Sequence, residues 1–272
     1  MINALGIDVE EWYHICGLNL PTNLNHAYSS RVEKNTEKIL EILDVMKAKA
    51  TFFVLGAVAK QFPNLIKKID AAEHEIASHG YQHLEIFKYS PDAFREDVKR
   101  SKAILEDLSG KPVLGYRAPQ FSIVNKSLWA LDILVEEGFQ YDCSIFPIRH
   151  PRYGIPSAPR VHYRIRPELV EFPLSTIRVL GDNLPIAGGA YFRLLPYCFT
   201  KKAIESLNKE NIVVNSYFHV WEIDPNQPRL KIPFKRRFPH YVNLKSAQRK
   251  FEQLLADFQY APIKKVIEDG RF

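Results

Sequence analysis

The sequence predicts an α/β fold in which short buried strands alternate with amphipathic helices. Apolar, β-branched runs of strand length recur along the chain, and segments with apolar residues at helical spacing lie between them. Strands that alternate with helices form parallel βαβ units. Seven strand segments without an obvious linker favour a closed or nearly closed barrel, and an open, doubly wound sheet is the competing architecture.

Each element is predicted from a local pattern. The predicted strands are residues 4–9, 51–55, 75–78, 113–116, 139–143, 169–172 and 212–218, and the predicted helices are residues 32–48, 58–69, 91–109, 126–137 and 244–258. Ser90 and Pro91 place a hydroxyl cap before a proline at the first helical position, and Gly110 ends the same helix. Residues 149–167 and 180–196 interrupt the alternation and are expected to cross one face of the fold.

The composition excludes several classes of protein. Of the 272 residues 46% are apolar, which excludes wholesale disorder and a collagen-like repeat. No stretch approaches the roughly 18 uninterrupted apolar residues of a membrane span, and the first residues lack the basic leader of a secretory signal. Three separated cysteines, Cys16, Cys143 and Cys198, disfavour a disulfide framework and a thiolate zinc site. We therefore expect a cytoplasmic protein, whose net charge of +6 permits an anionic partner without establishing one.

The unusual polar side chains follow the predicted strands directly. In a βα barrel the carboxyl ends of the strands share one rim, where active sites are built. The residues at these ends are Asp8, Glu10, Glu11, His79, His83, Arg117, Asp142 and His219. Their coincidence after five strands is a stronger signal than any single residue, and it predicts a polar site at that rim.

Two of these groups suggest a metal centre. His79 and His83 have the i, i+4 spacing that brings two imidazoles to one face of a turn, as zinc and similar metals require. Taken alone, the spacing is explained equally well by ordinary hydrogen-bonded histidines. Alternation along the first strand turns Asp8 and Glu10 to the same side, which offers one carboxylate to a metal and another to a nearby proton.

Two further residues have a functional and a structural explanation. Arg117 would pair with Asp8 and orient it, or it would form a surface ion pair of little consequence. His219 ends a strongly apolar strand, where it would transfer protons near neutral pH or lie in the core bonded to a backbone carbonyl.

Four ordered motifs resemble those of the polysaccharide deacetylases of the NodB-homology fold. They are Gly6-Ile7-Asp8-Val9-Glu10-Glu11, Ser78-His79-Gly80-Tyr81-Gln82-His83, Tyr116-Arg117-Ala118-Pro119 and Phe218-His219. Residues 188–196 and 219–225 also resemble the bacterial subgroup associated with exopolysaccharide and surface-glycan gene clusters. The resemblance implies a distorted seven-stranded (β/α) barrel and metal-dependent hydrolysis of N-acetyl groups on amino sugars. It further implies one domain over residues 1–272, with a subgroup-specific extension from about residue 225.

The resemblance also implies catalytic roles. Asp8 would be the general base, Arg117 would orient it, and His219 would be the general acid. The aspartate that usually tunes the acid histidine has no direct counterpart here, so Asp142 or Glu222 would take its place.

A ligand set for one divalent metal ion, expected to be zinc, follows from the same resemblance. Glu10, His79 and His83 would hold the ion, although the family usually has adjacent aspartates in its first motif. Here the second carboxylate is displaced to Glu10, and Glu11 is a rival ligand. The backbone N–H of Gln120 would help to bind the oxyanion.

Aromatic residues and a basic cluster are candidates for contacts with the substrate. Tyr191 and Trp221, with Tyr81 and Phe192, would offer faces for stacking on sugars, although aromatic residues at such spacing are more often core. The basic cluster at residues 229–240 is explained by a solvated loop, or by capture of an anionic glycan or lipid-linked sugar at the inner membrane face. Nucleic acid is not expected, because no recognised binding module accompanies the charge.

Two other functions remain compatible with the residues. One is a metal-dependent hydrolase of a small non-sugar amide or ureide, and the other is a non-catalytic glycan-binding protein of the same fold. The sequence does not indicate the oligomeric state.

Overall fold

The computed structural model describes residues 1–14, 29–186 and 188–269. Cys16 lies outside these ranges, whereas Cys143 and Cys198 are both free thiols. Within the same ranges, no helix combines the length and the hydropathy that crossing a bilayer requires.

The expected α/β architecture is present as a curled half-barrel sheet. Its strands, with those of a separate hairpin, are β1 (Ile2–Val9), β2 (Thr51–Val54), β3 (Glu75–Ser78), β4 (Gly115–Tyr116), β5 (Tyr141–Asp142), β6 (Tyr163–Arg166), β7 (Leu169–Glu171), β8 (Thr176–Val179), β9 (Asp182–Pro185), β10 (Asn215–His219) and β11 (Gln259–Ala261). Seven parallel strands run in the order β10-β1-β2-β3-β4-β5-β7, and each overlaps one of the seven strands expected from the sequence.

Four further strands come from segments outside the seven expected ones, and two of them, β6 and β11, join this sheet. The excursion at residues 149–167 ends in β6, which pairs antiparallel with β7 at the edge of the sheet. β8 and β9 form a separate hairpin, and β11 pairs with the first residues of β1. In the described residues no ladder joins β7 to β10; instead, the Asn215 N–H donates to Ser175 Oγ over 2.8 Å. The half-barrel is therefore open on this side.

Parallel register aligns the carboxyl ends of the strands. Asp8 of β1 pairs with His219 of β10 on one side and with Phe53 of β2 on the other. Ser78 of β3 pairs with Tyr116 of β4. Residues at or just after the ends of these strands therefore meet at one edge, as expected from the sequence.

The five helical segments expected from the sequence are present, with bounds that differ by up to four residues, and the described residues contain four further helices. The helices are α1 (Val32–Val45), α2 (Gly56–Gln61), α3 (Pro63–Ala71), α4 (Pro91–Ser109), α5 (Ala130–Glu136), α6 (Gly189–Leu194), α7 (Tyr197–Lys209), α8 (Phe234–Tyr241), α9 (Leu244–Asp257) and α10 (Ile263–Glu268). At α4, the Ser90 hydroxyl accepts the N–H of Ala93 and Gly110 closes the helix at φ +66°. α7 was not expected, and α8 replaces the loop expected for the basic cluster.

Packing between the sheet and its helices fixes the strand that carries His219. Phe218 of β10 is buried and stacks on Phe251 of α9, with ring centroids 4.5 Å apart. On the neighbouring strand, Ile7 belongs to the same core as Ile39 and Leu43 of α1. Each such side chain contributes about 1.5–3 kcal/mol on burial, so β1 and β10 form a rigid base for the polar residues at their ends.

Candidate active site

A cavity lies at the carboxyl edge of the sheet, lined by residues of β1 and β10, by connections that follow the strands, and by residues of α6 and α8. The expected site residues that line it are Asp8, Glu10, His79, His83, Gln120, Tyr191, His219 and Trp221. Arg117, which is fully buried, reaches the cavity through its contact with Asp8. Tertiary structure therefore brings all nine residues together.

Asp8 and Arg117 form a buried ion pair in which Nη1 of Arg117 donates to Oδ1 of Asp8 over 2.6 Å. Burial lowers the pKa of Arg117, but the Asp8 carboxylate more than offsets this and raises it. The guanidinium lies 4.0 Å above the Phe53 ring, and a Cβ at Gly6 would fall 2.6 Å from its Nη1. These contacts hold Asp8 in one orientation, with its Oδ2 3.7 Å from Nε2 of His219.

Glu10 faces two imidazole nitrogens. Its Oε2 lies 2.7 Å from Nε2 of His83 and 3.7 Å from Nε2 of His79. Burial raises the pKa of Glu10, but the imidazoles, His83 foremost, hold it well below its usual value. Oε2 is buried, and no described residue reaches it with hydrogen-bond geometry. A buried carboxylate oxygen without a donor, set against two imidazoles, fits a divalent cation.

A third histidine, His14, lies beside this group and was not singled out in the sequence. Ligand atoms of Glu10, His14 and His83 all lie within 4.8 Å of one another, and the rings of His14 and His83 stack at 5.0 Å. Its only signal in the sequence is its spacing of four residues from Glu10.

His79 and His14 are the two candidates for the third ligand position, and they differ in the hydrogen bonds of their ring nitrogens. Nδ1 of His79 lies 2.8 Å from the carbonyl oxygen of Arg117, so it carries the proton and leaves the Nε2 lone pair towards Glu10. Nδ1 of His14 instead accepts the Glu11 N–H over 3.2 Å. Burial and the neighbouring His83 lower the pKa of His14 to about 3, so its ring is neutral and its proton is on Nε2. This nitrogen chemistry favours His79 as the ligand.

Glu11, the rival carboxylate, has its hydrogen-bond partners away from His79 and His83. It accepts the hydroxyl of Ser30 and the backbone N–H groups of Arg31 and Val32, at the start of α1. Burial raises the pKa of Glu11, although these donors lower it in part. Glu11 therefore caps a helix, while Glu10 faces the cavity.

His219 is held by Glu222 rather than by Asp142. Nδ1 of His219 lies 2.6 Å from Oε1 of Glu222, and Oε2 of the same carboxylate accepts Nε of Arg193 at 2.5 Å. Burial lowers the pKa of His219, but Glu222, Glu10 and Asp8 outweigh it and raise the pKa to about 9. His219 is therefore protonated at neutral pH.

Arg193 is a second residue that was not assigned a role from the sequence. It is buried and also donates to the carbonyl oxygens of Pro239, His240 and Val242. The guanidinium therefore joins Glu222 to the end of α8. Its signal in the sequence is an arginine inside an otherwise apolar run in residues 189–195.

Asp142 belongs to a different buried group. Its carboxylate accepts the Ser144 hydroxyl and lies against the carboxyl group of Glu171. Burial raises the pKa of Asp142 to about 6 and that of Glu171 well above its usual value. Asp142 is thus engaged away from His219.

The four expected stacking residues have different surroundings. Trp221 lies between the rings of His219 and His240, at 4.9 and 4.3 Å, so protein occupies the faces expected for a sugar. Its Nε1 donates to Oε1 of Glu10 over 2.9 Å. Phe192 is core, and Tyr81 lies under the Arg100 guanidinium outside the cavity. Tyr191 lines the cavity and is half-buried.

Gln120, the expected oxyanion donor, lies on the cavity wall in a strained backbone. Gln120 and Phe121 have φ angles of +58° and +53°, in the left-handed region. Side chains other than glycine rarely adopt this conformation, and such strain concentrates at functional sites.

Comparison with protein families divides the chain in two. Residues 25–139 match the polysaccharide deacetylase family, and residues 143–268 match a domain of unknown function, DUF3473. The cavity draws on both, since His79, His83 and Gln120 lie in the first match and Tyr191 and His219 in the second. Asp8 and Glu10 precede both matches.

Curated relatives match part of the chain. A peptidoglycan-N-acetylglucosamine deacetylase of Bacillus cereus is 37% identical over 98 residues, which is 36% of each chain. A chitooligosaccharide deacetylase of Sinorhizobium fredii is 32% identical over 100 residues, 36% of this chain and 44% of the relative. The chain thus spans well under half the length of these relatives.

Solved structures share the fold over nearly the whole chain. A Mycobacterium smegmatis protein classed as a polysaccharide deacetylase has a TM-score of 0.62 at 20% identity and covers 99% of this chain and 91% of its own. PuuE allantoinase has a TM-score of 0.60 at 17% identity, with 95% and 85% covered. The family match places residues 25–139 in the polysaccharide deacetylase family, and the solved structures show the same fold over nearly the whole chain.

Proposed function

We propose that this protein is a metal-dependent deacetylase that hydrolyses N-acetyl groups on amino sugars of a bacterial glycan and releases acetate. The observation that carries the proposal is the convergence of an oriented carboxylate, a two-histidine carboxylate group and a protonated histidine around one cavity. The names of the relatives, which concern peptidoglycan and chitooligosaccharide, supply the substrate class.

The metal requirement rests on Glu10, His79 and His83. Two histidines and one carboxylate form a ligand set used by catalytic zinc sites, so zinc is the ion we propose. When bound, a divalent cation supplies positive charge that lowers the pKa of water and polarises an amide carbonyl. Trp221 steadies Glu10 by its hydrogen bond to Oε1, and the Arg117 carbonyl does the same for His79.

The remaining residues move protons and hold the substrate. Asp8, kept in place by Arg117, accepts a proton from the attacking water. His219 gives a proton to the leaving nitrogen, because an amine departs poorly unless it is protonated. The N–H of Gln120 donates to the oxygen of the tetrahedral intermediate, which is stabilised by preorganised donors. Asp8 and His219 adjoin each other, so base and acid act on the same amide.

Acetate release tests the proposal. Purified protein, stripped with a chelator and reloaded with zinc, cobalt or nickel, is incubated with N-acetylglucosamine oligomers and with allantoin as a cyclic ureide. We expect metal-dependent acetate release from the sugars and none from the metal-free protein. Asp8→Asn and His219→Ala should abolish turnover with metal still bound, whereas Asp132→Asn, an exposed control on α5, should be fully active.

Three results would overturn the proposal. They are unchanged turnover in Asp8→Asn, consumption of the ureide in place of the sugars, and a protein that takes up no metal on reloading yet binds glycan without hydrolysing it.

We also propose that α8 brings the protein to an anionic membrane surface, where a lipid-linked glycan would be presented. Phe234 and Phe238 are 66% and 46% exposed, and their rings lie 5.7 Å apart on one side of the helix. Lys235 and Arg237 are exposed on the same helix. Aromatic and basic residues together suit the interface of an anionic bilayer.

Sedimentation with vesicles tests this contact. We expect binding to phosphatidylserine-containing vesicles and not to pure phosphatidylcholine, with binding lost in Phe234→Ala/Phe238→Ala. Val179→Ala/Leu180→Ala, which removes exposed apolar residues from the β8–β9 hairpin, is the control. Equal sedimentation of the wild type with both vesicles would disprove an anionic surface as the partner.

A further inference from the structure

Two arginines on the cavity wall, Arg152 and Arg236, have no part in the chemistry above, and Arg152 is the one with an unpaired nitrogen. Arg152 lines the cavity beside Gln120, Phe121 and Tyr153. Its Nη1 is buried, and no described residue accepts a hydrogen bond from it or pairs with it as a carboxylate. A buried guanidinium nitrogen without an acceptor is costly, because the water it loses is not replaced.

The backbone around Arg152 is tightly constrained. The Arg152 N–H donates to Nδ1 of His150 over 3.3 Å, and the His150 ring stacks on Tyr153 at 3.8 Å. Gly154 follows at φ +97°, where a Cβ would fall 2.4 Å from the carbonyl oxygen of Ile148. Only glycine fits there, so this turn presents Arg152 to the cavity in one arrangement.

The charge balance of the cavity leaves Arg152 in surplus. Arg117 is offset by Asp8 and Arg193 by Glu222, while Arg236 of α8 adds a further positive charge to the wall. Glu10 carries the only other carboxylate among the described residues that line the cavity, and it faces the histidines. A divalent cation there would exceed the charge of Glu10, so the loaded cavity would be positive even before Arg152 is counted.

We infer that Arg152 forms an anion subsite that binds a carboxylate or phosphate group of the glycan next to the N-acetyl group that is removed. The inference rests on the proposed function for the location of that group. Guanidinium binds both anions through two parallel hydrogen bonds, which also orient the ligand. The preferred substrate would therefore be an acidic glycan, such as one with a uronic acid or a sugar phosphate, rather than a neutral one.

Binding measurements test the subsite without relying on turnover. Calorimetry in buffer free of phosphate and sulfate compares zinc-loaded protein with two matched pairs of probes. One pair is a tetrasaccharide of alternating N-acetylglucosamine and glucuronic acid against neutral N-acetylglucosamine tetramer. The other pair is N-acetylglucosamine 1-phosphate against N-acetylglucosamine. The pair that shows the preference identifies the anion as carboxylate or phosphate.

We expect at least one acidic probe to bind about tenfold more tightly than its neutral partner, the strength of one charge-assisted contact. Arg152→Gln should abolish this preference and keep the affinity for the neutral probe within about twofold, which also shows an intact cavity. Arg249→Gln, an equal charge change on the exposed face of α9, should keep the preference.

Two results would overturn the inference: no preference for either acidic probe in the wild type, or a preference that survives in Arg152→Gln. A preference that depends on Arg152, found without acetate release from any probe, would support the subsite and count against the proposed activity.

Discussion

Nδ1 of His219 lies 2.6 Å from Oε1 of Glu222, three residues further along the chain. The Glu222 carboxylate also accepts the backbone N–H of His219 over 3.0 Å. The end of β10 and the short turn after it therefore supply both the proposed acid and the carboxylate that contributes most to keeping it charged.

The first prediction concerns the pH dependence of this pair. The raised pKa, about 9, keeps His219 protonated below that pH, so activity that needs the acid is lost as pH rises through it. Glu222→Gln removes a hydrogen bond to a charged group, worth about 1.5–3 kcal/mol, and should move the alkaline limb of kcat down by about one to two pH units. The exposed control Glu41→Gln should leave the profile unchanged. An unshifted limb in Glu222→Gln would show that Glu222 does not set the charge of His219.

The second prediction concerns the stability of the buried ion pair between Arg193 and Glu222. Arg193→Met leaves the carboxylate without its guanidinium and should lower the free energy of unfolding by about 3–5 kcal/mol. Lys201→Met, which breaks the solvent-exposed pair with Asp257, should have a much smaller effect because exposed ion pairs contribute little to stability. Urea unfolding of both variants provides the comparison.

A double-mutant cycle completes this test. Arg193→Met/Glu222→Gln removes the uncompensated charge, so its loss should be smaller than the sum of the two single losses. Additivity within about 0.5 kcal/mol would mean that the two side chains are not coupled.

The third prediction uses the close approach of Gly6 to Arg117. Gly6→Ala places a methyl group against the guanidinium, which should lower kcat at least tenfold by disturbing Asp8, at a stability cost of about 1–3 kcal/mol. Gly181→Ala has open space around its Cβ and strains only a turn, so it should lose stability but keep full kcat. Equal kcat values for the two variants would show that the position of Arg117 does not affect catalysis.

The fourth prediction concerns which carboxylates and which histidines bind the proposed cation. Glu10→Gln and His79→Gln should weaken zinc binding, while Glu11→Gln should keep it because that side chain caps α1. His14→Gln should also keep one zinc per chain, since the proton on Nε2 excludes ligation there. Metal content after dialysis and competition with a chromophoric chelator measure these differences. Zinc loss in His14→Gln with retention in His79→Gln would reverse the assignment.

Much of the fold followed from local pattern. Each of the seven parallel strands overlaps a predicted apolar run, because strand burial is encoded in consecutive residues. α8 was missed because residues 234–241 contain three consecutive basic residues and Pro239, and its position depends on carbonyl contacts with Arg193. α7 was also missed. Its buried residues Ala203, Ile204 and Leu207 lie between charged residues, and the helix follows directly on residues 180–196, which interrupt the alternation of strands and helices.

The sequence by itself determined the α/β class, the strand order along the chain and the edge at which Asp8, His79 and His219 meet. Only tertiary structure decided that Glu10 rather than Glu11 faces the histidines, and that Glu222 rather than Asp142 holds His219. The physical reason is that hydrophobic periodicity is a property of neighbouring residues. The choice between two nearby carboxylates depends on side-chain direction and on donors far away in the chain, such as Arg193.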